Sequence, residues 1–258
     1  QSEVNADFQA LEGLDRQYGV LLQSSERLKA LSQQWQDLQA RAPGLNVDRN
    51  DELHTQFVAD IRALIAHVGD TSYLILDPDL DTYYMMDAVL LRLPEAQTLL
   101  GQTLMLVEET ATHRAITVEE RIQLISLSGQ VRSNLSTLHN NVHVAFRNDS
   151  TQNLEPLVEP SLHEHGDAVE QFLEFIDAQI ISAETVAVEP DDLAAAATPA
   201  MEANARFYAV ASQGLETGLQ ARINRLITRQ VWVVTIALLG VAVAFVVGLS
   251  TMRGISRP

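Results

Sequence analysis

Between Val231 and Thr251 the chain reads VWVVTIALLGVAVAFVVGLST, about 21 residues without a charge. A helix rises about 1.5 Å per residue, so this stretch reaches across a ~30 Å hydrocarbon layer. Trp232 stands near one end, where an indole favours the headgroup interface. Gly240 and Gly248 weaken an exposed soluble helix but are ordinary in a membrane one. The competing reading, a buried core helix, fits shorter runs. The expectation is a transmembrane helix at 231–251, a soluble body at 1–230 and a short following segment at 252–258.

Charge is divided accordingly. The chain carries 34 Asp+Glu against 17 Lys+Arg, a formal net charge of -17, and every acidic residue precedes Arg222. A body this acidic repels phosphate backbones, so no nucleic-acid partner is expected. The absence of cysteine excludes disulfides, thiolate zinc sites and thiol catalysis. Aromatics are 5% of residues, and 12 Gly with 8 Pro supply too few turn formers for a sandwich or barrel. There is no glycine-rich phosphate loop, nucleophile elbow or His-Glu-x-x-His. No catalytic site, cofactor or metal is expected in this stretch of chain, although a longer protein containing it could carry an enzymatic output.

The body reads as helix throughout. Leu14, Leu21, Leu28 and Trp35 recur every seven residues, interleaved with Leu11, Tyr18, Leu31 and Leu38. That narrow seam predicts one long first helix ending at Ala42-Pro43-Gly44. A second helix is expected from a cap at Asp48 or Asn50, carrying Leu53, Phe57, Ile61, Leu64 and Val68. A third begins at Asp77-Pro78, runs to about Ala111 and should kink before Pro94. Thr117-Val-Glu-Glu120 is a capping box opening the fourth. The fifth is placed from about 159–161, and the sixth follows Glu189-Pro190-Asp191-Asp192 straight into the apolar span. Six helices with long first and last members predict an all-α antiparallel bundle, two four-helix bundles stacked end to end.

Several groups invite a binding role. Asp77, Asp79 and Asp81 have calcium-loop spacing, but the sixth and twelfth positions are Thr82 and Ala88 rather than Gly and Glu. Capping of the third helix accounts for the same residues. Tyr83, Tyr84 and Asp87 fall on successive turns of that helix, near Arg92. His139 and His143 stand at i, i+4, a two-ligand metal spacing, at the edge of the fourth helix's apolar seam. His163 and His165 face apart on a helix and are assigned to a loop or helix start. Arg62, Arg92, Arg132 and Arg206 are the mid-helix guanidiniums able to fork onto a carboxylate.

The segment Thr71 to Pro94 resembles sensor regions of HAMP-containing bacterial chemoreceptors, sensor kinases and cyclic-dinucleotide enzymes. The ending Arg253-Gly-Ile-Ser-Arg-Pro258, directly after the apolar span, is similar to the entry of a HAMP linker, and Pro fits a first helical turn. The overall plan also resembles helical bimodular sensor domains. This resemblance implies a bacterial inner-membrane receptor with residues 1–230 in the periplasm, a preceding transmembrane helix and a cytoplasmic output. It also implies homodimers and a small-molecule ligand held near Asp77, Asp79, Asp81, Tyr83, Tyr84, Asp87 and Arg92. Against that orientation, Arg222, Arg225 and Arg229 precede the span, and the positive-inside rule then keeps the body cytosolic, as in a tail-anchored coiled-coil protein.

Overall fold

The computed structural model describes residues 2–183 and 185–255. Among them every regular element is helical. In chain order these are α1 (Ser2–Leu22), α2 (Ser25–Arg41), α3 (Val47–Thr71), α4 (Leu80–Asp87), α5 (Leu93–His113), α6 (Val118–Asn148), α7 (Leu154–Ile176) and α8 (Pro190–Ile255). The π turn Ala88–Arg92 joins α4 to α5 without a break, and a second π turn, Asp177–Ile181, extends α7. The chain divides into two units, Gln1–Leu215 and Glu216–Pro258.

The all-α expectation holds, but the described residues form seven helical rods, where the sequence seam predicted six. The first rod breaks at Gln23, which adopts the left-handed conformation at φ 51°. The Ser24 N–H then bonds back to the Gly19 carbonyl at 3.1 Å, and Ser24 Oγ donates to Asp15 Oδ1 at 2.5 Å. Gly19 leaves room for this, because a Cβ would sit 2.4 Å from both Asp15 Oδ1 and Ser25 Oγ and force those side chains to shift. The chain therefore doubles back, and Trp35 Nε1 donates to Asn5 Oδ1 at 2.8 Å. Phe8, Leu28, Leu31, Leu38 and Phe57 close a small core among α1, α2 and α3, with Trp35 stacked on Phe57. The other half of the predicted seam is outside it: Leu14 is 56% exposed and Leu21 73%.

Local chemistry explains most element ends. Asn46 caps α3, accepting from the Arg49 N–H at 3.0 Å, so the cap lies before the expected Asp48 or Asn50. The capping box forms as read: the Glu120 carboxylate accepts from the Thr117 N–H at 2.7 Å and the Thr117 hydroxyl accepts from the Glu120 N–H at 3.2 Å. These bonds from Thr117, backbone first, hold the Glu120 carboxyl below its ordinary value. The fifth predicted helix begins earlier than 159, at Leu154, because Asp149 Oδ2 accepts from the Asn153 and Leu154 N–H groups at 2.9 Å. Pro156 falls in the first turn, where no intrahelical donor is lost.

The main core lies between α5, α6, α7 and the first turns of α8, built on Leu100, Val107, Leu124, Phe172, Leu173, Ile176 and Leu193. Neighbouring helices run antiparallel, as their cross-links show. Asn134 reaches Glu95 while Asn141 reaches Asp87, and Arg132 bonds Asp177 while His143 approaches Glu159. On α8, Gly214 is packed so closely that a Cβ would meet Leu154 Cδ1 at 2.9 Å and Val158 Cγ2 at 3.0 Å.

The second unit contains the apolar stretch. It includes an 18-residue window of mean hydropathy 2.0, none of it buried, long and apolar enough to cross a membrane. The last soluble helix and this stretch belong to one element, α8, as the unbroken sequence predicted. The HAMP-like proline, Pro258, lies outside the described residues.

Candidate functional site

Of the seven predicted site residues, the structure places three acidic ones at the start of α4 and gathers two others into a half-buried network. Asp77 does not cap the third helix. It accepts from the Asp79 N–H at 2.9 Å, closing a local turn, and α4 starts at Leu80 with Asp79 before it. Asp81 lies in the first turn and accepts from the Thr82 N–H at 2.8 Å. The three carboxylates are thus engaged with, or placed against, the N-terminal backbone of α4, where the helix dipole favours negative charge. Tyr83 and Tyr84 meet edge to face with centroids 5.2 Å apart.

Asp87 and Arg92 come together around the π turn. Pro94 cannot donate to the Leu90 carbonyl, and its ring crowds the preceding turn. The chain answers by widening: the Leu93 N–H bonds to the Ala88 carbonyl, five residues back. Where the sequence predicted a kink before Pro94, the helix carries this π turn. The wider turn sets Arg92 Nε 3.3 Å from Asp87 Oδ2 and its Nη1 3.4 Å from Glu95 Oε2. On α6, Asn141 Nδ2 donates to Asp87 Oδ2 at 2.8 Å and Asn134 Nδ2 to Glu95 Oε2 at 2.9 Å. Asp87 is 8% exposed, so its charge is satisfied inside the protein by one guanidinium and one amide.

Arg92 and Glu95 of this network line a groove of about 460 Å³ between α3 and the π turn. Ala59, Ala63 and Ala66 supply its small-residue wall on α3, and Leu90 and Leu91 the opposite one. Arg62, Arg92 and Glu95 set charge of both signs along it. The arrangement combines apolar surface with a few fixed polar groups, the pattern of small-molecule sites. It offers no nucleophile with an adjacent base. The contribution of Asn134, Asn141 and Glu95 was not read from sequence. Their spacing of seven on α6 against eight across the π turn is the signal, and it becomes legible only once the helix pairing is known.

The other arginines are structural fasteners. Arg132 bonds Asp177 at 2.8 Å and Glu170 at 3.4 Å, and Arg206 joins Glu164 at 2.7 Å to Glu202 at 3.2 Å. His143 lies at the edge of the α6 seam, its Nδ1 3.9 Å from Glu159 Oε2, whereas His139 turns its Nε2 into the interior against α7. His163 and His165 lie within α7 rather than in a loop, and they do face apart. The His163 side chain is 76% exposed, whereas His165 is 1% exposed. Glu109, His113 and Glu120 bring three ligand atoms within 4.8 Å of one another at the α5–α6 turn. They are largely exposed there, and Glu120 is already committed to the capping box. The chain matches no protein-family model, no curated protein and no solved structure at a significant level.

Proposed function

We propose that this chain is the sensing part of a transmembrane receptor, in which a periplasmic helical bundle binds a small molecule and α8 carries the change across the bacterial inner membrane to a HAMP-linked output. The observation that carries this reading is α8 itself. One helix, Pro190–Ile255, includes bundle-core residues such as Phe207 and the apolar stretch. A change in bundle packing then has a continuous helical path into the apolar stretch, by a slide or rotation selected from two packings. The stacked-bundle arrangement and the homodimer belong to the same proposal. Leu11, Leu14, Tyr18 and Leu21 support the latter, as a stripe on α1 whose members are 43% to 73% exposed.

The groove beside Arg62, Arg92 and Glu95 is the proposed ligand site, with Asp87 holding Arg92 in place. A thermal-shift screen of the full chain against organic acids, amino acids and inorganic ions tests it. A binder at 100 times its Kd stabilises by about 2.7 kcal/mol, and Arg62→Ala is expected to remove that shift. No stabilising compound, or a shift untouched by Arg62→Ala, contradicts the groove as the site.

The tail-anchored reading is favoured by one specific observation, the three arginines Arg222, Arg225 and Arg229 ahead of the span. In the receptor orientation they meet lipid phosphates at the outer surface instead.

A further inference from the structure

A second cluster of polar groups sits inside the bundle, away from the groove, between α6, α7 and α8. His165 is buried against Phe207, whose ring stacks on it at 5.4 Å, and neither of its ring nitrogens makes a well-formed hydrogen bond, the Asn204 side chain being its polar neighbour. Asn204, one turn before Phe207 on α8, is 3% exposed. Its Nδ2 donates to Gln97 Oε1 at 2.8 Å, but its Oδ1 is buried and unpartnered. From α6, His139 Nε2 is also buried without a partner. His139 packs so tightly on α7 that a Cβ at Gly166 would fall 2.8 Å from its Cε1. Glu159 Oε2 is a further buried, unpartnered atom, 3.9 Å from His143 Nδ1.

Buried polar groups without well-formed hydrogen bonds are costly in a bundle interior, and here several meet beside Phe207. Histidine is the side chain whose charge changes near neutral pH. Here its neutral form is enforced by the surroundings. Burial pushes His165 down to about 4, with His139 adding repulsion and Asn204 opposing. Burial also lowers His139, followed by His143, against a smaller opposing pull from Glu159; His163 adds to the lowering and the Leu162 carbonyl opposes it. The groups facing the pair are therefore His143 from α6, Glu159 and His163 from α7, and Asn204 from α8, with Gln97 of α5 behind Asn204. Two carboxylates stand among the four imidazoles, Glu159 beside His143 and Asp167 beside His163.

We propose that this cluster is a proton-binding site: acid places charge on His165 and His139 together, between α6, α7 and α8, and thereby loosens the packing of α8 at Asn204 and Phe207. The proton is thus a second input to the same helix, independent of any ligand in the groove. The unfolded chain, with histidine near 6.5, binds the proton more readily than the folded one. Stability contributed by the neutral pair is therefore present above about pH 6.5 and lost as pH falls toward 4. At pH 5 His165 alone lowers the folding equilibrium roughly 30-fold relative to pH 8.

The test uses the full chain in lipid nanodiscs. Urea unfolding from pH 8 to 5 is expected to show that loss in the wild type and in the exposed control His163→Ala. His165→Phe, which keeps the ring stack on Phe207, should lose about 30-fold less over the same range. In the wild type at pH 5, amide exchange at 204–211, corrected for its intrinsic pH dependence, should rise relative to pH 8. An unchanged pH slope in His165→Phe, or unchanged α8 exchange, overturns the proposal. Should His165→Phe not fold, a histidine-ring NMR titration of the wild type decides instead. A His165 ring neutral at pH 5.5 and charged by about pH 4 supports the site, and a midpoint near 6.5 or a ring that never charges overturns it.

Discussion

Replacing Phe172 by alanine is expected to destabilise the bundle by about 3–5 kcal/mol, read as a lower urea midpoint with an unchanged slope. Phe172 is 1% exposed, and its ring lies in the core that ties α5, α6 and α7 to the first turns of α8. Removing it deletes both the buried aromatic surface and the atoms its neighbours touch, and a close-packed interior relaxes only partly around the gap. The informative partner is Leu21→Ala. In a one-helix reading of residues 1–41 Leu21 belongs to the same apolar seam as Leu28, and its loss should cost about 2–5 kcal/mol. With the chain reversed at Gln23 the side chain is 73% exposed, and the cost in the monomer falls to within about 0.5 kcal/mol. A large loss at Leu21 would place α1 in a buried seam after all.

The second large effect is at Asp87. Asp87→Ala removes the acceptor shared by Arg92 and Asn141 and is expected to cost about 2–3 kcal/mol, less than a fully buried pair because the Arg92 side chain is 32% exposed and keeps Glu95. The double variant with Arg92→Ala should recover part of that loss, because the unpaired guanidinium goes with it. A coupling of about 1 kcal/mol or more measures the interaction. Strict additivity in that cycle would mean that the two residues do not act on each other.

How much of this was legible beforehand differs from place to place, for physical reasons. The capping box at Thr117, the stop at Pro43-Gly44 and the passage of the last helix into the apolar stretch depend on neighbours within a turn, and local sequence specifies them. The reversal at Gln23 was not legible, because glutamine is a poor left-handed residue and nothing in a heptad marks it. What selects it is a set of contacts: Gly19 allowing the close approach of Asp15 and Ser25, and the His67 ring donating to the Gln23 carbonyl at 2.9 Å. At Asp77 the rule that an acidic residue before proline caps a helix lost to a turn closed one step later. Asp87 and Arg92 were named from sequence as neighbours on one helix. Their partners on α6 could not be, since pairing across helices is set by the packing of the whole core. The loop or helix start expected at His163 and His165 follows from placing the fifth helix only from 159–161, whereas α7 begins at Leu154 and carries Pro160 inside it.

In the proposed receptor the acidic bundle lies outside the cytoplasm and α8 joins it to the membrane. Ser150, exposed in the turn between α6 and α7, offers the most direct measurement. With cysteine absent from the chain, Ser150→Cys is a unique label. In intact bacterial cells whose outer membrane admits the reagent, a thiol probe that cannot cross the inner membrane is expected to label Cys at this position fully. Protection in intact cells, with labelling only after the inner membrane is permeabilised, would contradict the receptor orientation and leave a cytosolic, tail-anchored body.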